Sequence, residues 1–225
     1  MKDKATTTTV IYLHGLGSSP ESPKAKLFSE GLSEQGYRFM APALSLPSLE
    51  RLSVSDAFKA VLDGVSSAAQ KGNVVIIGSS FGGFLATRCL GSLREEVRQQ
   101  IRGVVLLAPV IYPWHKVNPV ISAEAEAKWR ARGSFPVEEG ASGRIVSLHL
   151  DFIDELKQFS ALNVDTTKPT LVIHGERDEV VPFSHSVEFV AAHPKANLIS
   201  LDDNHQMMAV PRRLLDQVNS FLKVY

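Results

Sequence analysis

The 225 residues are enough for one enzyme-sized domain with a sizeable core. Lys plus Arg and Asp plus Glu both number 24, so no net charge draws the chain to nucleic acid or to an anionic membrane surface. The single cysteine, Cys89, excludes an internal disulfide and a zinc site built from several cysteines. These features predict a cytoplasmic protein that binds a small molecule, without a nucleic-acid or membrane partner.

The strands are predicted from short apolar runs bounded by Gly, Pro, Asn or Asp. The first, in TVIYLHG, has only four apolar residues before His14, too few for a signal-peptide core. Five such runs occur in chain order: TVIYL, NVVIIG, GVVLLAP, TLVIHG and NLISL. A sixth candidate, YRFMAPAL, begins at Tyr37. Because the runs lack strict alternation, they indicate strands of a mostly parallel sheet covered on both faces.

Segments with the apolar periodicity of an α-helix lie between these runs or follow them. They are residues 24–35, 54–69, 81–93, 183–192 and 212–222. Strand followed by helix, repeated, predicts an α/β fold made of βαβ units. In such sheets ligands bind beyond the carboxyl ends of the strands, so the residue after each apolar run is where chemistry is expected.

One segment, at about 110–168, breaks this rhythm. It contains the charged helical pattern SAEAEAKWRARG, a Gly-rich turn and LDFIDELKQFS. We interpret it as a short helical lid inserted into a single domain that covers residues 1–225. Its aromatic side chains, Trp114 and Trp129 among them, are candidates for substrate contact as well as for lid packing. The sequence leaves monomer and homodimer open.

The strongest motif is GSSFGG, from Gly78, which matches G-x-S-x-G with Ser80 at its centre. A strand precedes it and a helix follows, which is the context this motif requires. The sharp turn strains the backbone at the serine, and glycines on either side let neighbouring backbone pass closely. Ser80 is therefore the candidate nucleophile.

A serine hydroxyl needs a base to activate it and a carboxylate to orient that base. His205 follows the last strand, in DDNHQM, and is the candidate base. Asp178 follows the preceding strand, in HGERDEVVP, and is the preferred acid over Glu176 on the same loop. The two aspartates that adjoin the histidine, at 202 and 203, are expected to shape its loop instead.

These segments, together with LHGLGSSPESPKA, resemble the α/β-hydrolases, and in particular small single-domain bacterial carboxylesterases and thioesterases. The resemblance runs nearly end to end and is weakest in the insertion. It implies that the loop after the first strand donates a backbone N–H to an oxyanion, here that of Leu16, with Phe81 as the second donor. A phosphate-binding loop is the alternative for LHGLGSSP, but neither G-x-G-x-x-G nor the Walker pattern is present.

The remaining candidates have plainer interpretations. His14 and His174 precede glycines at strand ends and are interpreted as shaping their own loops. No histidine pair shows metal-ligand spacing, so neither a metal nor a cofactor is expected. Met207 follows the candidate base closely and is a candidate for substrate contact, with core packing as the alternative.

The sequence thus predicts a serine hydrolase that cleaves carboxylic esters or thioesters of small to medium acyl chains through an acyl-enzyme. Alternatives with the same three residues are a peptidase and an acyltransferase. A further alternative is a ligand-binding protein that keeps the fold but does not turn over substrate.

Overall fold

The computed structural model describes residues 8–140, 142–165 and 167–225. Its strands are β1 (Thr9–Leu13), β2 (Arg38–Met40), β3 (Val74–Ser79), β4 (Ile101–Leu107), β5 (Ser134–Glu139), β6 (Arg144–His149), β7 (Thr170–Gly175) and β8 (Ala196–Leu201). Its α-helices are α1 (Pro23–Ser33), α2 (Val54–Ala69), α3 (Phe81–Cys89), α4 (Glu95–Gln100), α5 (Ala123–Arg132), α6 (Asp151–Ser160), α7 (Phe183–Ala192) and α8 (Pro211–Leu222). A 3-10 helix, Leu90–Ser92, follows α3.

Six of these strands form the central sheet, in the order β2-β1-β3-β4-β7-β8. Every neighbouring pair in this sheet is parallel. The carboxyl ends of β3, β7 and β8 therefore meet at one edge of the sheet, where ligands bind in folds of this kind. The predicted α/β fold with a parallel sheet is confirmed, and the sixth candidate strand is β2.

The sheet separates two apolar cores, because successive side chains of a strand point to opposite faces. In β1, Ile11 and Leu13 join the core formed with α2 and α3, whereas Val10 and Tyr12 join the core formed with α1 and α8. Both faces are thus covered, which explains why the strands show continuous apolar runs rather than alternation. Among the described residues, no helix is long and apolar enough to cross a membrane.

The segment at about 110–168 contains two helices, α5 and α6, and an antiparallel hairpin of β5 and β6. Buried apolar side chains of the hairpin and of α6, including Phe135, Val146 and Phe152, belong to the core formed with α2 and α3. The sequence predicted helices here but not the hairpin. The two strands of the hairpin carry exposed polar residues and, in β5, a proline, so neither shows the apolar run by which the other strands were identified.

Candidate active site

Ser80 lies at the sharp turn between β3 and α3, with a φ of 53° and a ψ of −113°. This positive φ is uncommon for a residue with a side chain and costs on the order of 1–3 kcal/mol. The turn is packed too tightly for side chains on either side. A Cβ atom at Gly78 would lie 2.5 Å from the Gly82 carbonyl oxygen, and one at Gly82 would lie 2.0 Å from that of Leu13. Glycine is therefore required at both positions, because any larger residue would overlap neighbouring backbone atoms.

His205 connects Ser80 to Asp178. Its Nε2 lies 3.1 Å from Ser80 Oγ, and its Nδ1 lies 2.7 Å from Asp178 Oδ2. A carboxylate only accepts, so Nδ1 carries the hydrogen and Nε2 is free to accept the serine proton. The Asp178 side chain is fully buried and that of His205 is 10% exposed. The structure thus brings together the three side chains at the ends of β3, β7 and β8.

Asp178 is held in its ionised form by hydrogen bonds. The N–H groups of Val180 and Val181 donate to Oδ1, each over 2.8 Å, and Nε2 of His174 lies 3.0 Å from Oδ2. Burial alone would raise the pKa of Asp178, but the bonds from His174, His205 and the Val181 N–H outweigh it and hold this pKa well below its usual range. The carboxylate therefore remains charged beside His205 across the neutral pH range.

The competing carboxylates do not reach His205. Glu176 is exposed, and Asp202 pairs with Arg177. Asp203 is buried and accepts from the N–H groups of Asn204 and Ala209, which closes the loop that carries the histidine. The geometry thus favours Asp178 over Glu176 as the acid and gives Asp203 the loop-shaping position expected for it.

The loop after β1 brings Leu16 beside Ser80, and Leu16 and Phe81 line one cavity with it. The Phe81 N–H begins α3, where backbone donors lack intrahelical partners. Leu44 N–H donates to His14 Nε2, so Nδ1 carries the hydrogen and donates to the Gly15 carbonyl over 3.0 Å. Because that carbonyl shares a peptide plane with the Leu16 N–H, His14 fixes the direction in which this amide points.

The cavity beside Ser80 has a volume of ≈ 330 Å³ and is mainly apolar. Side chains from the insertion form much of its wall, including Trp129, Phe135, Phe152 and Leu156. Trp129 and Phe135 stack with ring centroids 4.4 Å apart. Its polar groups include Ser80, His205, Glu138 and Gln206. An apolar wall with a few polar groups at one place is typical of a small-molecule site.

The model of the uncharacterised protein family UPF0227 matches residues 9–223, nearly the whole chain. The protein belongs to this family. It has the α/β-hydrolase fold, as its solved structural neighbours show. Mouse alpha/beta hydrolase domain-containing protein 10 superposes with a TM-score of 0.76 at 20% identity, covering 96% of this chain and 89% of that one. Est1E from Butyrivibrio proteoclasticus gives a TM-score of 0.70 at 18% identity, covering 98% and 88%.

Among curated proteins, this UPF0227 chain is similar to the mitochondrial palmitoyl-protein thioesterase ABHD10 of Rattus norvegicus. The two are 26% identical over 186 residues, which are 80% of this chain and 61% of the relative. The mouse protein of the same name is 24% identical over 192 residues, or 82% of this chain and 63% of that relative. The match thus spans about three fifths of the length of each relative.

Of the three predicted substrate contacts in this UPF0227 chain, only Trp129 lines the cavity. Trp114 is directed elsewhere because its indole N–H donates to Glu126 over 3.0 Å and its ring packs beneath Lys157. Met207 is fully buried in the core shared with α1 and α8. Neither Trp114 nor Met207 therefore lines the cavity in this structure, and Met207 has the core packing that was the alternative for it.

Two residues of this UPF0227 site were not singled out as functional from sequence. His174 was interpreted as shaping its own loop, but it contacts Asp178 directly. Lys24, in the first turn of α1, is buried, and its Nζ donates to Ser79 Oγ over 3.3 Å. The sequence signal for His174 was its position four residues before the acid, at the end of a strand. No sequence signal marked Lys24 as part of the site, since a lysine in a first helical turn is usually exposed.

Proposed function

We propose that this protein is a serine hydrolase that cleaves carboxylic esters or thioesters of small to medium acyl chains. The observation that carries the proposal is the hydrogen-bonded series from Ser80 through His205 to Asp178, which begins at the wall of an apolar cavity. A base within hydrogen-bond distance of a nucleophile, oriented in turn by a buried carboxylate, is the arrangement that activates a hydroxyl.

In the proposed reaction, Ser80 Oγ attacks the acyl carbon and its proton passes to Nε2 of His205. The negative charge of Asp178 stabilises the imidazolium that forms. The tetrahedral intermediate collapses as the alcohol or thiol leaves with that proton, and an ester to Ser80 remains. Water then attacks this acyl-enzyme with His205 as base, and the carboxylic acid is released.

The backbone N–H groups of Leu16 and Phe81 would stabilise the oxyanion of each tetrahedral intermediate. Their position beside Ser80 and the fixed orientation of the Leu16 peptide support this assignment. Donors held in place before the reaction need no reorganisation when charge develops, and one such donor contributes on the order of 10²–10³ in rate.

The size of the cavity supports acyl chains of small to medium length. Its ≈ 330 Å³ is close to the lower end of the range of roughly 300–1,000 Å³ for ligand sites. The insertion would then act as a lid, with Trp129 and Leu156 contacting the acyl group. The named activity of the ABHD10 relatives supports thioesters as one of the two substrate classes.

The test is a set of p-nitrophenyl esters of increasing acyl length, with matched acyl thioesters, assayed on the wild type and on Ser80→Ala. In a second assay the protein reacts with a fluorophosphonate probe, and the mass of the intact protein shows whether a serine has been phosphonylated. We expect turnover and one phosphonyl adduct in the wild type, and neither in Ser80→Ala.

The control is Ser79→Ala, which removes the other serine of the GSSFGG motif. It should retain the adduct, because Ser79 Oγ is directed to Lys24. A folded wild type without turnover or adduct would contradict the proposal and favour the ligand-binding alternative. Aminolysis or peptide cleavage in place of ester hydrolysis would favour the acyltransferase or peptidase alternatives.

A further inference from the structure

We infer that His174 is a positioning residue for Asp178, which it holds in place and whose Oδ2 it shares with His205. This inference rests on the proposed function, since it concerns the acid of that reaction. His174 does not reach Ser80 or the cavity wall in the described residues, so its influence on the reaction passes through Asp178.

The two histidines meet at the same carboxylate oxygen. Asp178 Oδ2 lies 2.7 Å from Nδ1 of His205 and 3.0 Å from Nε2 of His174. The other oxygen, Oδ1, accepts the N–H groups of Val180 and Val181. Four donors therefore surround one buried carboxylate. Because both Oδ1 bonds come from one loop, His174 is the donor that ties this carboxylate to strand β7.

The hydrogen positions on His174 follow from its neighbours. Its Nε2 faces Asp178 Oδ2 and, at 3.1 Å, the Val181 carbonyl oxygen. Both are acceptors, so Nε2 carries the hydrogen and donates. Its Nδ1 lies 2.6 Å from Ser186 Oγ and accepts from that hydroxyl. Ser186 thus fixes the ring in the form that donates to Asp178.

The ring of His174 has no freedom to turn away. The residue is fully buried, and the Phe183 ring packs against it edge-on with centroids 5.5 Å apart. Ser186 and Phe183 both belong to the first turn of α7. Strand β7 and helix α7 therefore hold the donor rigidly, as a group that orients a reacting residue requires.

Sharing Oδ2 has a chemical consequence. A hydrogen bond from His174 withdraws negative charge from the oxygen that would stabilise the His205 imidazolium. Removing this donor should strengthen the Asp178–His205 bond and favour the imidazolium, which cannot accept the serine proton. The acidic limb of the pH profile of kcat/KM would then move to higher pH. A residue that only supports folding would not move this limb.

Other titratable groups near the pair must be kept constant in the test. His185 on α7 interacts electrostatically with His174, and Lys24 on α1 interacts with Asp178 and with the buried Asp203. The variants proposed below leave all three unchanged. A movement of the acidic limb can then be assigned to the lost donor.

The experiment compares His174→Asn with His174→Gln. The Asn side chain ends near the position of Nδ1 and keeps a partner for Ser186, but it cannot reach Asp178. The Gln amide reaches the position of Nε2 and can still donate to Oδ2. For His174→Asn we expect kcat/KM to fall roughly 10- to 100-fold, as for a lost charge-assisted hydrogen bond, and the acidic limb to rise by roughly half to one pH unit. His174→Gln should restore most of the rate and the wild-type limb.

Equal losses in the two variants, or an acidic limb that stays in place or moves to lower pH in His174→Asn, would overturn the inference. If His174→Asn fails to fold, His174→Phe provides the same readout, because its ring fills the buried space but cannot donate to Asp178; a limb that does not rise in this variant would equally overturn the inference. Failure of the proposed function is distinguishable, since the wild type would then show neither turnover nor a fluorophosphonate adduct.

Discussion

Lys24 and Ser79 form a buried polar pair one residue before the Ser80 turn, with Nζ of Lys24 donating to Ser79 Oγ over 3.3 Å. Lys24 is only 7% exposed. Burial lowers its pKa to about 8, although the carboxylates of Asp178 and Asp203 act in the opposite direction. The protein thus holds a cation in its core close to two buried carboxylates, and the protonation state of this cation should affect stability.

Lys24→Met should stabilise the protein at pH 7 and lose this advantage at alkaline pH. Between about pH 8 and 10.5 the unfolded chain keeps a proton that the folded protein has released, so the wild type gains stability as pH rises through this window. The variant lacks this gain, and at pH 7 it avoids the cost of burying a charge. Its advantage over the wild type in the free energy of unfolding should therefore shrink by ~2 kcal/mol between pH 7 and pH 9.5. Urea denaturation at pH 7 and at pH 9.5 measures both free energies of unfolding.

The control for this comparison is Lys26→Met, which changes an exposed lysine on the same helix. Its free energy of unfolding should stay close to that of the wild type at both pH values. A Lys24→Met variant that is less stable than the wild type by the same amount at both pH values would show that the hydrogen bond to Ser79 outweighs the cost of burying the charge.

Gly17→Ala should lower stability more than Gly36→Ala, although both residues have a positive φ, of 72° and 86°. Each alanine incurs the left-handed backbone cost of about 1–2 kcal/mol. At Gly17 the added Cβ would also lie 2.2 Å from the Glu138 carbonyl oxygen, whereas nothing lies within 4 Å of the one at Gly36. The clash should therefore move the hairpin or the loop that carries Leu16.

Thermal unfolding and kcat measured on both glycine variants test this point. Gly36→Ala should keep the kcat of the wild type, because its turn is remote from the cavity. Gly17→Ala should lose activity beyond its loss of stability, by roughly tenfold, since the Leu16 N–H would leave the position proposed for the oxyanion donor. Equal kcat values in the two variants would argue against a role for this loop in the reaction.

The sequence predicted those parts of the molecule that depend on local pattern. Each buried strand is a short apolar run, and Ser80, Asp178 and His205 each follow the end of such a strand within four residues, so chain order alone placed them at one edge of the sheet. Contacts between distant segments left no such pattern. The bond from Trp114 to Glu126 and the burial of Lys24 depend on how the insertion and α1 pack, which composition and spacing do not encode.

Asp178→Asn should reduce kcat far more than Glu176→Gln. The amide would present a donor or a weaker acceptor to Nδ1 of His205 and would remove the charge that stabilises the imidazolium, so a loss on the order of 10⁴ is expected. Glu176 is exposed, and its carboxylate has no such contact. Initial rates on one p-nitrophenyl ester, with circular dichroism to verify folding, make the comparison. A larger loss in Glu176→Gln would contradict the assignment of the acid.

If the proposed function holds, Leu156→Phe should shorten the acyl chains that the protein hydrolyses. Leu156 lies in the cavity wall, and a larger ring there reduces the space for the substrate. Each methylene excluded from an apolar pocket changes kcat/KM by roughly 10- to 200-fold, so the rate on octanoyl esters should fall at least tenfold relative to acetyl esters. The measurement is the ratio of the two kcat/KM values, which cancels any general loss of active enzyme.

Trp114→Phe is the matched control for the chain-length profile, because it changes an aromatic residue of the insertion that does not line the cavity. It removes the bond to Glu126, so stability should fall by about 1 kcal/mol, while the ratio of octanoyl to acetyl rates stays that of the wild type. A changed ratio in Trp114→Phe would restore Trp114 as a substrate contact. An unchanged ratio in Leu156→Phe would place the acyl chain outside this cavity.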